Sequence, residues 1–146
     1  MVSDLKTCFI LFFFTITMQS CMQPKADPLV IEQAMQNYNR HIISMNVDSI
    51  ASSYTEDGQL GDIATGRDSI KKFLAKFASF KVLSQVSTTD SISIHQDTAT
   101  QKGHYAQTVI VPAHDTISVK GQFTATWLLQ KNGDWQIKHM ETIPSK

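Results

Sequence analysis

The C-terminal end of the sequence has the pattern of a β-hairpin that turns at Lys131-Asn132-Gly133. A two-residue Asn-Gly loop would pair Trp127 with Lys138 and would mix polar and apolar side chains on both faces. A three-residue loop, with Gly133 as a left-handed bulge, shifts the pairing by one residue and separates the two kinds of side chain. Because a one-residue slip exchanges the two faces of a strand, the cleaner separation favours the bulged turn.

In this register one face of the hairpin is apolar apart from two residues, and we predict that it faces the core. Its members are Gly121, Phe123, Ala125, Trp127, Leu129, Trp135, Ile137, His139, Glu141 and Ile143. The opposite face carries Leu128 and Met140 among polar residues. His139 and Glu141 are two positions apart on one strand, so they project to the same side. The pair could act as a general base and its orienting partner, or it could be a structural pair near the end of the sheet.

The first 21 residues have the pattern of an export signal. A short segment with one lysine precedes the apolar run Cys8–Met18, which is shorter than a bilayer span. The following Ser20-Cys21 resembles the lipobox of bacterial lipoproteins, in which the cysteine is lipidated and becomes the first residue. We predict a lipoprotein-type signal peptide over 1–21, a tether over 22–26, one domain over 27–146, and a location in the cell envelope. Ordinary secretion and an uncleaved anchor are the alternatives.

Charge and cysteine content narrow the possible functions. The 13 basic and 13 acidic residues cancel, which argues against a nucleic-acid surface. Both cysteines, Cys8 and Cys21, lie in the signal segment, so the domain must be held by its core without disulfides. The five histidines lack the spacing of metal ligands, and no phosphate loop or dinucleotide fingerprint occurs. We expect neither a metal nor a cofactor.

The spacing of apolar residues in the domain changes once along the chain. Apolar residues at helical spacing predict helices over Asp27–Met45, Asp48–Tyr54 and Thr65–Phe77. From Lys81 onward the period is two, which predicts antiparallel strands. This order predicts an α+β fold in which three N-terminal helices cover one face of a strongly curved antiparallel sheet.

The strand over 98–111 adds polar side chains to the predicted inner face. Aligning Tyr105 with Phe123 also aligns several valines and isoleucines, and it turns Tyr105 and Gln107 inward and His104 outward. A slip by one residue would exchange Tyr105 for His104.

The order of motifs is long helix, Tyr-x-x-Asp-Gly, Gly-Arg-Asp-x-Ile, and a final Asn-Gly-Asp-Trp-x-Ile-x-His. Because they carry these motifs in this order, residues 27–143 resemble the SnoaL-like branch of the nuclear-transport-factor-2-like superfamily. The residues that carry the resemblance are Tyr54, Asp57, Gly58, Gly66, Arg67, Ile70, Phe73, Gly103, Tyr105, Gly121, Phe123, Trp127, Gly133, Trp135, Ile137 and His139. The resemblance implies a cone, in which a bent sheet is wrapped by three helices and opens over a pocket.

The same resemblance implies a range of activities. The superfamily includes polyketide cyclases, dehydratases, a steroid isomerase and epoxide hydrolases, alongside members without known activity, so the fold says little about chemistry. Its enzymes place a carboxylate base, or carboxylates with Arg or His, inside the cone. This sequence reproduces no one enzyme's full set.

Three hypotheses follow from the residues and the resemblance. In the first, the cone binds a small, largely apolar molecule in a pocket lined by Tyr38, Tyr54, Tyr105, Gln107, Trp127, His139 and Glu141. In the second, the protein is a cofactor-free cyclase, isomerase or dehydratase, in which His139 or Glu141 moves a proton and Tyr105 donates a hydrogen bond to an oxyanion. In the third, the outer sheet face forms a homodimer or binds a protein partner.

Overall fold

A computed structural model describes residues 27–113 and 115–146. In this part of the chain the helices are α1 (Pro28–Ile43), α2 (Val47–Ser52) and α3 (Arg67–Ala75). The strands are β1 (Tyr54–Leu60), β2 (Ala64–Thr65), β3 (Lys81–His95), β4 (Thr98–Ile110), β5 (Thr116–Leu129) and β6 (Trp135–Pro144). The predicted signal peptide, its Cys21 and the tether lie outside the described residues.

Helices α1 and α2 begin where a side chain satisfies one of their first N–H groups, whereas α3 follows Gly66 without a side-chain cap. Asp27 caps α1 by accepting a hydrogen bond from the Leu29 N–H at 2.9 Å, as its place before Pro28 predicts. The cap of α2 is Asn46, which accepts from the Ser49 N–H at 3.0 Å, rather than Asp48. The second helix also ends earlier than predicted, because Tyr54 already belongs to β1.

The strands form one sheet in the order β2-β1-β6-β5-β4-β3. β1 runs parallel to its neighbour β6, and all the other pairs are antiparallel. Helix α1 packs across β3, whereas α2 and α3 pack against each other. The predicted α+β fold, with three helices on a curved sheet, is therefore confirmed. No described helix has the length and apolar character needed to span a membrane.

The closing hairpin has the predicted bulged turn. Leu129 pairs with Trp135 and Trp127 with Ile137, which leaves a loop of five residues closed by a 2.8 Å hydrogen bond from the Gln130 N–H to the Asp134 carbonyl. Gly133 has a φ of +90°, a backbone conformation that glycine adopts without strain.

A second bulge, at Lys138, exchanges the faces of the rest of β6. Thr126 pairs with His139, and Ala125 with Met140, so one residue of β6 has no partner on β5. From there on Met140 and Thr142 face inward, while His139 and Glu141 face outward. The predicted inward orientation of His139 and Glu141 is wrong, and so is the predicted outward orientation of Met140. Burying a thioether instead of a carboxylate avoids desolvating a charge, which is the physical reason for this register.

The register of β4 on β5 differs from the prediction by two residues. Tyr105 lies opposite Gly121 and Phe123 opposite Gly103, instead of Tyr105 opposite Phe123. Each aromatic ring occupies the space beside a glycine, since a Cβ atom on Gly103 would lie 2.8 Å from Cε1 of Phe123. A shift of two residues keeps the faces, so Tyr105 and Gln107 point inward and His104 outward, as predicted.

Candidate functional site

The concave side of the sheet and α1 enclose a cavity of about 210 Å³, which we call the polar chamber. Residues from α1 and from five of the six strands contribute to it. Its lining consists of Met35, Tyr38, Ile42, Leu60, Gln85, Ser87, Tyr105, Gln107, Val119, Phe123, Met140 and Thr142. The bulge at Lys138 is what brings the last two of these inward.

A second cavity of about 340 Å³, the apolar chamber, adjoins the first. The two chambers share Ile42, Gln107 and Val119. The remaining lining of the apolar chamber is Met45, Ile50, Leu74, Phe77, Phe80, Val82, Val109, Val111 and Ile117. The site therefore has one end with hydroxyl and amide groups and one end made of hydrocarbon and aromatic rings.

Tyr38 and Tyr54 form a hydrogen-bonded pair at the inner end of the polar chamber. Their hydroxyl oxygens are 2.9 Å apart and their rings meet edge to face at 5.9 Å. Tyr38 reaches the lining, as predicted, whereas Tyr54 is fully buried behind it. Burial raises the pKa of both phenols, and for Tyr54 the neighbouring Tyr38 raises the pKa further. Both hydroxyls therefore stay neutral at physiological pH.

Tyr105 and Gln107, the other two predicted lining residues that reach the cavity, stand beside polar residues of β3. Gln85 pairs with Gln107 and Ser87 with Tyr105 across the two strands. The Ser87 hydroxyl donates a 3.0 Å hydrogen bond to Oδ1 of Asn39 on α1. Desolvation raises the pKa of Tyr105, so its hydroxyl is a donor at neutral pH.

Sequence reasoning missed the polar lining residues Gln85, Ser87 and Thr142. Alternation from the turn at Gln96-Asp97 would not have found the first two, because Asp90 has no partner on β4 and this bulge exchanges the faces of β3. The orientation of Thr142 depends in the same way on the bulge at Lys138.

Trp127 lies outside both chambers. It is 1% exposed, and its indole N–H donates to Oε1 of Gln101 at 3.0 Å. The amide of Gln101 in turn donates to the Thr89 hydroxyl at 2.8 Å. This chain of hydrogen bonds satisfies the buried polar groups, and Trp127 packs in the core, where it borders a third cavity of about 310 Å³ between α1 and the hairpin turn.

His139 and Glu141, the predicted proton carriers, are also outside both chambers. His139 is half-buried on the outer face opposite Thr126, and Glu141 is exposed. Glu141 borders a separate outer groove that also contains Asp90 and Lys102. Among residues 27–113 and 115–146, no three His, Cys, Asp or Glu side chains converge as metal ligands.

The sequence profile described as the SnoaL-like domain matches residues 26–141. The chain belongs to the SnoaL-like family. No curated protein matches it by sequence.

Solved structures agree with the fold of this SnoaL-like domain. A protein of unknown function from Mycobacterium tuberculosis superimposes with a TM-score of 0.72 at 20% identity, over 82% of this chain and 76% of that one. A ketosteroid isomerase-like protein from Erwinia carotovora atroseptica gives a TM-score of 0.71 at 18% identity, over 81% of this chain and 95% of that one. A Catenulispora acidiphila protein in complex with S-DNPA gives a TM-score of 0.70 at 11% identity, over 80% of this chain and 92% of that one. At these identities the likeness concerns the fold alone.

Proposed function

We propose that the SnoaL-like domain binds a small, uncharged and largely apolar molecule across its two chambers. The observation that carries this proposal is the character of the lining: every described residue that lines either chamber has an uncharged side chain. A charged ligand would lose its hydration there without gaining an ion pair, which is costly in a cavity of this kind. An apolar ligand would instead gain by leaving water.

The two chambers would hold different parts of the ligand. The apolar chamber suits a hydrocarbon or aromatic body, since Phe77, Phe80 and Ile117 line it. The polar chamber suits a carbonyl or hydroxyl group, because the protonated hydroxyl of Tyr105 and the amide of Gln107 can both donate hydrogen bonds.

The lining supports binding rather than proton transfer. The ionisable side chains in it are tyrosines whose pKa is raised by burial, so near pH 7 they are weaker acids and almost no phenolate is present to act as a base. The proton carriers of the enzyme hypothesis, His139 and Glu141, lie on the other face of the sheet. No residue that replaces them faces the described part of either chamber.

Fluorescence of N-phenyl-1-naphthylamine, a neutral apolar probe, tests this proposal. Val119 lines both chambers, so Val119→Phe should fill their junction and weaken probe binding roughly tenfold or more. Val86→Phe is the matched control, because Val86 is 56% exposed and belongs to neither lining. Equal binding by both variants would contradict the assignment of the cavity.

We also propose that the protein is exported and anchored to a bacterial membrane by lipid on Cys21. The support is the apolar run followed by Ser20-Cys21 in the sequence. Cys21→Ala should move the protein from the membrane fraction to the soluble envelope fraction, or leave it uncleaved. Cys8→Ala removes the other cysteine of the chain and should change neither fractionation nor lipid labelling.

A further inference from the structure

The entrance of the apolar chamber is formed in part by Lys76–Lys81, the connection after α3 together with the first residue of β3, which we call the mouth segment. Phe77 and Phe80 both line the chamber and are half-buried, with their rings edge to face at 5.2 Å. Ile117, on β5, also lines the chamber and is 44% exposed. The entrance is therefore an apolar rim that water reaches, which is the usual mark of an interaction surface.

Lysines flank the two aromatic rings. Lys76 and Lys81 are exposed at the two ends of the mouth segment, and Lys72 lies one helical turn before Lys76. The ammonium nitrogen of Lys76 is 5.9 Å from the centre of the Phe73 ring, so this charge leans over the aromatic cluster. Among the described residues, these three lysines have no acidic partner, although Lys71 beside them is paired with Asp48.

The positive charge at the entrance comes from where these lysines lie, because the formal net charge of the whole chain is zero. The acidic residue Asp115 stands in the loop between β4 and β5, so the basic side of the entrance is the side of the mouth segment. Partly exposed aromatic rings flanked by lysines match the two layers of a membrane surface. Rings enter the headgroup region, while ammonium groups remain beside the lipid phosphates.

We propose that the mouth segment docks onto an anionic lipid bilayer, which places the entrance of the apolar chamber against the hydrocarbon. Charge complementarity favours an anionic surface, and the apolar rim favours a bilayer over an acidic protein. Exchange of the ligand between bilayer and cavity rests in addition on the proposed function, but the docking itself does not.

Vesicle co-sedimentation tests the docking. A chain that starts at residue 22 avoids insertion by the signal segment, and it keeps the whole described core, whose buried residues lie between Ile31 and Met140. Its folding is checked by cooperative thermal unfolding. It should bind vesicles made of phosphatidylcholine and phosphatidylglycerol in equal parts, and bind vesicles of phosphatidylcholine much more weakly.

Two charge-reversal variants locate the contact. Lys76→Glu/Lys81→Glu should weaken binding to the anionic vesicles roughly 30-fold or more, since each lysine near such a surface contributes about a fivefold gain and each new carboxylate adds repulsion. Lys102→Glu/Lys131→Glu changes the net charge equally, but on the outer sheet face and at the hairpin turn, and should change binding by about twofold or less. Equal loss in both variants, or no binding to anionic vesicles, would overturn the proposal.

Binding of N-phenyl-1-naphthylamine without vesicles separates this proposal from the previous one. The Lys76→Glu/Lys81→Glu variant should bind the probe as the unmodified protein does, because neither lysine lines a chamber. Loss of vesicle docking with retained probe binding supports both proposals. Vesicle docking by a protein that binds no probe supports the docking and removes the cavity function.

Discussion

The hydroxyls of Tyr38 and Tyr54 satisfy each other inside the core, 2.9 Å apart. Trp127 and Gln101 form a second such pair elsewhere on the inner face of the sheet, where the indole N–H donates to the amide oxygen. Such pairs matter because a buried polar group without a partner loses its interaction with water and gains nothing in exchange. Each residue of a pair is therefore costly to change alone.

We predict that the tyrosine pair is non-additive. Tyr54→Phe leaves the Tyr38 hydroxyl without its partner and should lower the free energy of unfolding by about 1–3 kcal/mol. Tyr38→Phe/Tyr54→Phe should cost less than the sum of the two single changes, because it removes both polar groups. Urea denaturation at neutral pH measures all three variants, and additive costs would show that the two hydroxyls do not depend on each other.

At the scale of the secondary-structure elements, β6 determines the composition of the cavity. Before Lys138 its residues pair with β5 in the register set by the turn at Gly133, and after Lys138 the register moves by one. The bulge also places Lys138 beside β1, where its ammonium group pairs with Asp57. One extra residue in a strand thus decides whether Met140 or Glu141 is buried.

Deleting Lys138 should remove the bulge and leave Met140 and Thr142 facing inward, because the deleted residue is the one without a partner on β5. We expect the free energy of unfolding to fall by less than the roughly 2–5 kcal/mol that the lost burial of Met140 would cost. Lys138→Ala is the control: it keeps the residue count and removes only a solvent-exposed ion pair, so it should cost little. The same urea experiment compares the two, and a deletion variant less stable than the control by roughly 2–5 kcal/mol would show that Met140 had left the core.

The sequence predicts these elements unevenly, for physical reasons. The turn at Gly133 was predictable because a glycine in a hairpin loop is a local signal. The bulge at Lys138 has no such signal, since it depends on how β5 and β1 hold β6 from both sides. The faces of Tyr105 and Gln107 were predictable from alternation, but their register was not, because it depends on rings packing beside Gly103 and Gly121.

For the molecule as a whole, tyrosine ionisation links the cavity to stability. The chain has three tyrosines, and the pKa of each is raised by burial. All three lie on the helix-covered side of the sheet, at or behind the polar chamber. An alkaline titration of this protein therefore reports on the interior that the proposed ligand would contact.

Stability should be independent of these tyrosines below about pH 9 and should fall above about pH 10. The sign follows because the unfolded chain releases its phenol protons near pH 10, whereas the folded chain retains them until its higher pKa is reached. Tyr38 and Tyr54 can each contribute a slope of up to about 1.4 kcal/mol per pH unit. Urea denaturation between about pH 8 and 11 should show a shallower fall for Tyr38→Phe/Tyr54→Phe, and identical slopes would contradict the prediction.

Relatives whose last strand lacks the additional residue at Lys138 differ from this chain by a one-position gap. An alignment drawn without that gap would match their cavity-facing positions to His139 and Glu141, whereas the spatial equivalents here are Met140 and Thr142. Functional residues should therefore be matched between family members by the residue they pair with on the neighbouring strand, rather than by their column in a sequence alignment. A histidine that looks shared in such an alignment can stand on opposite sides of the sheet in two homologues.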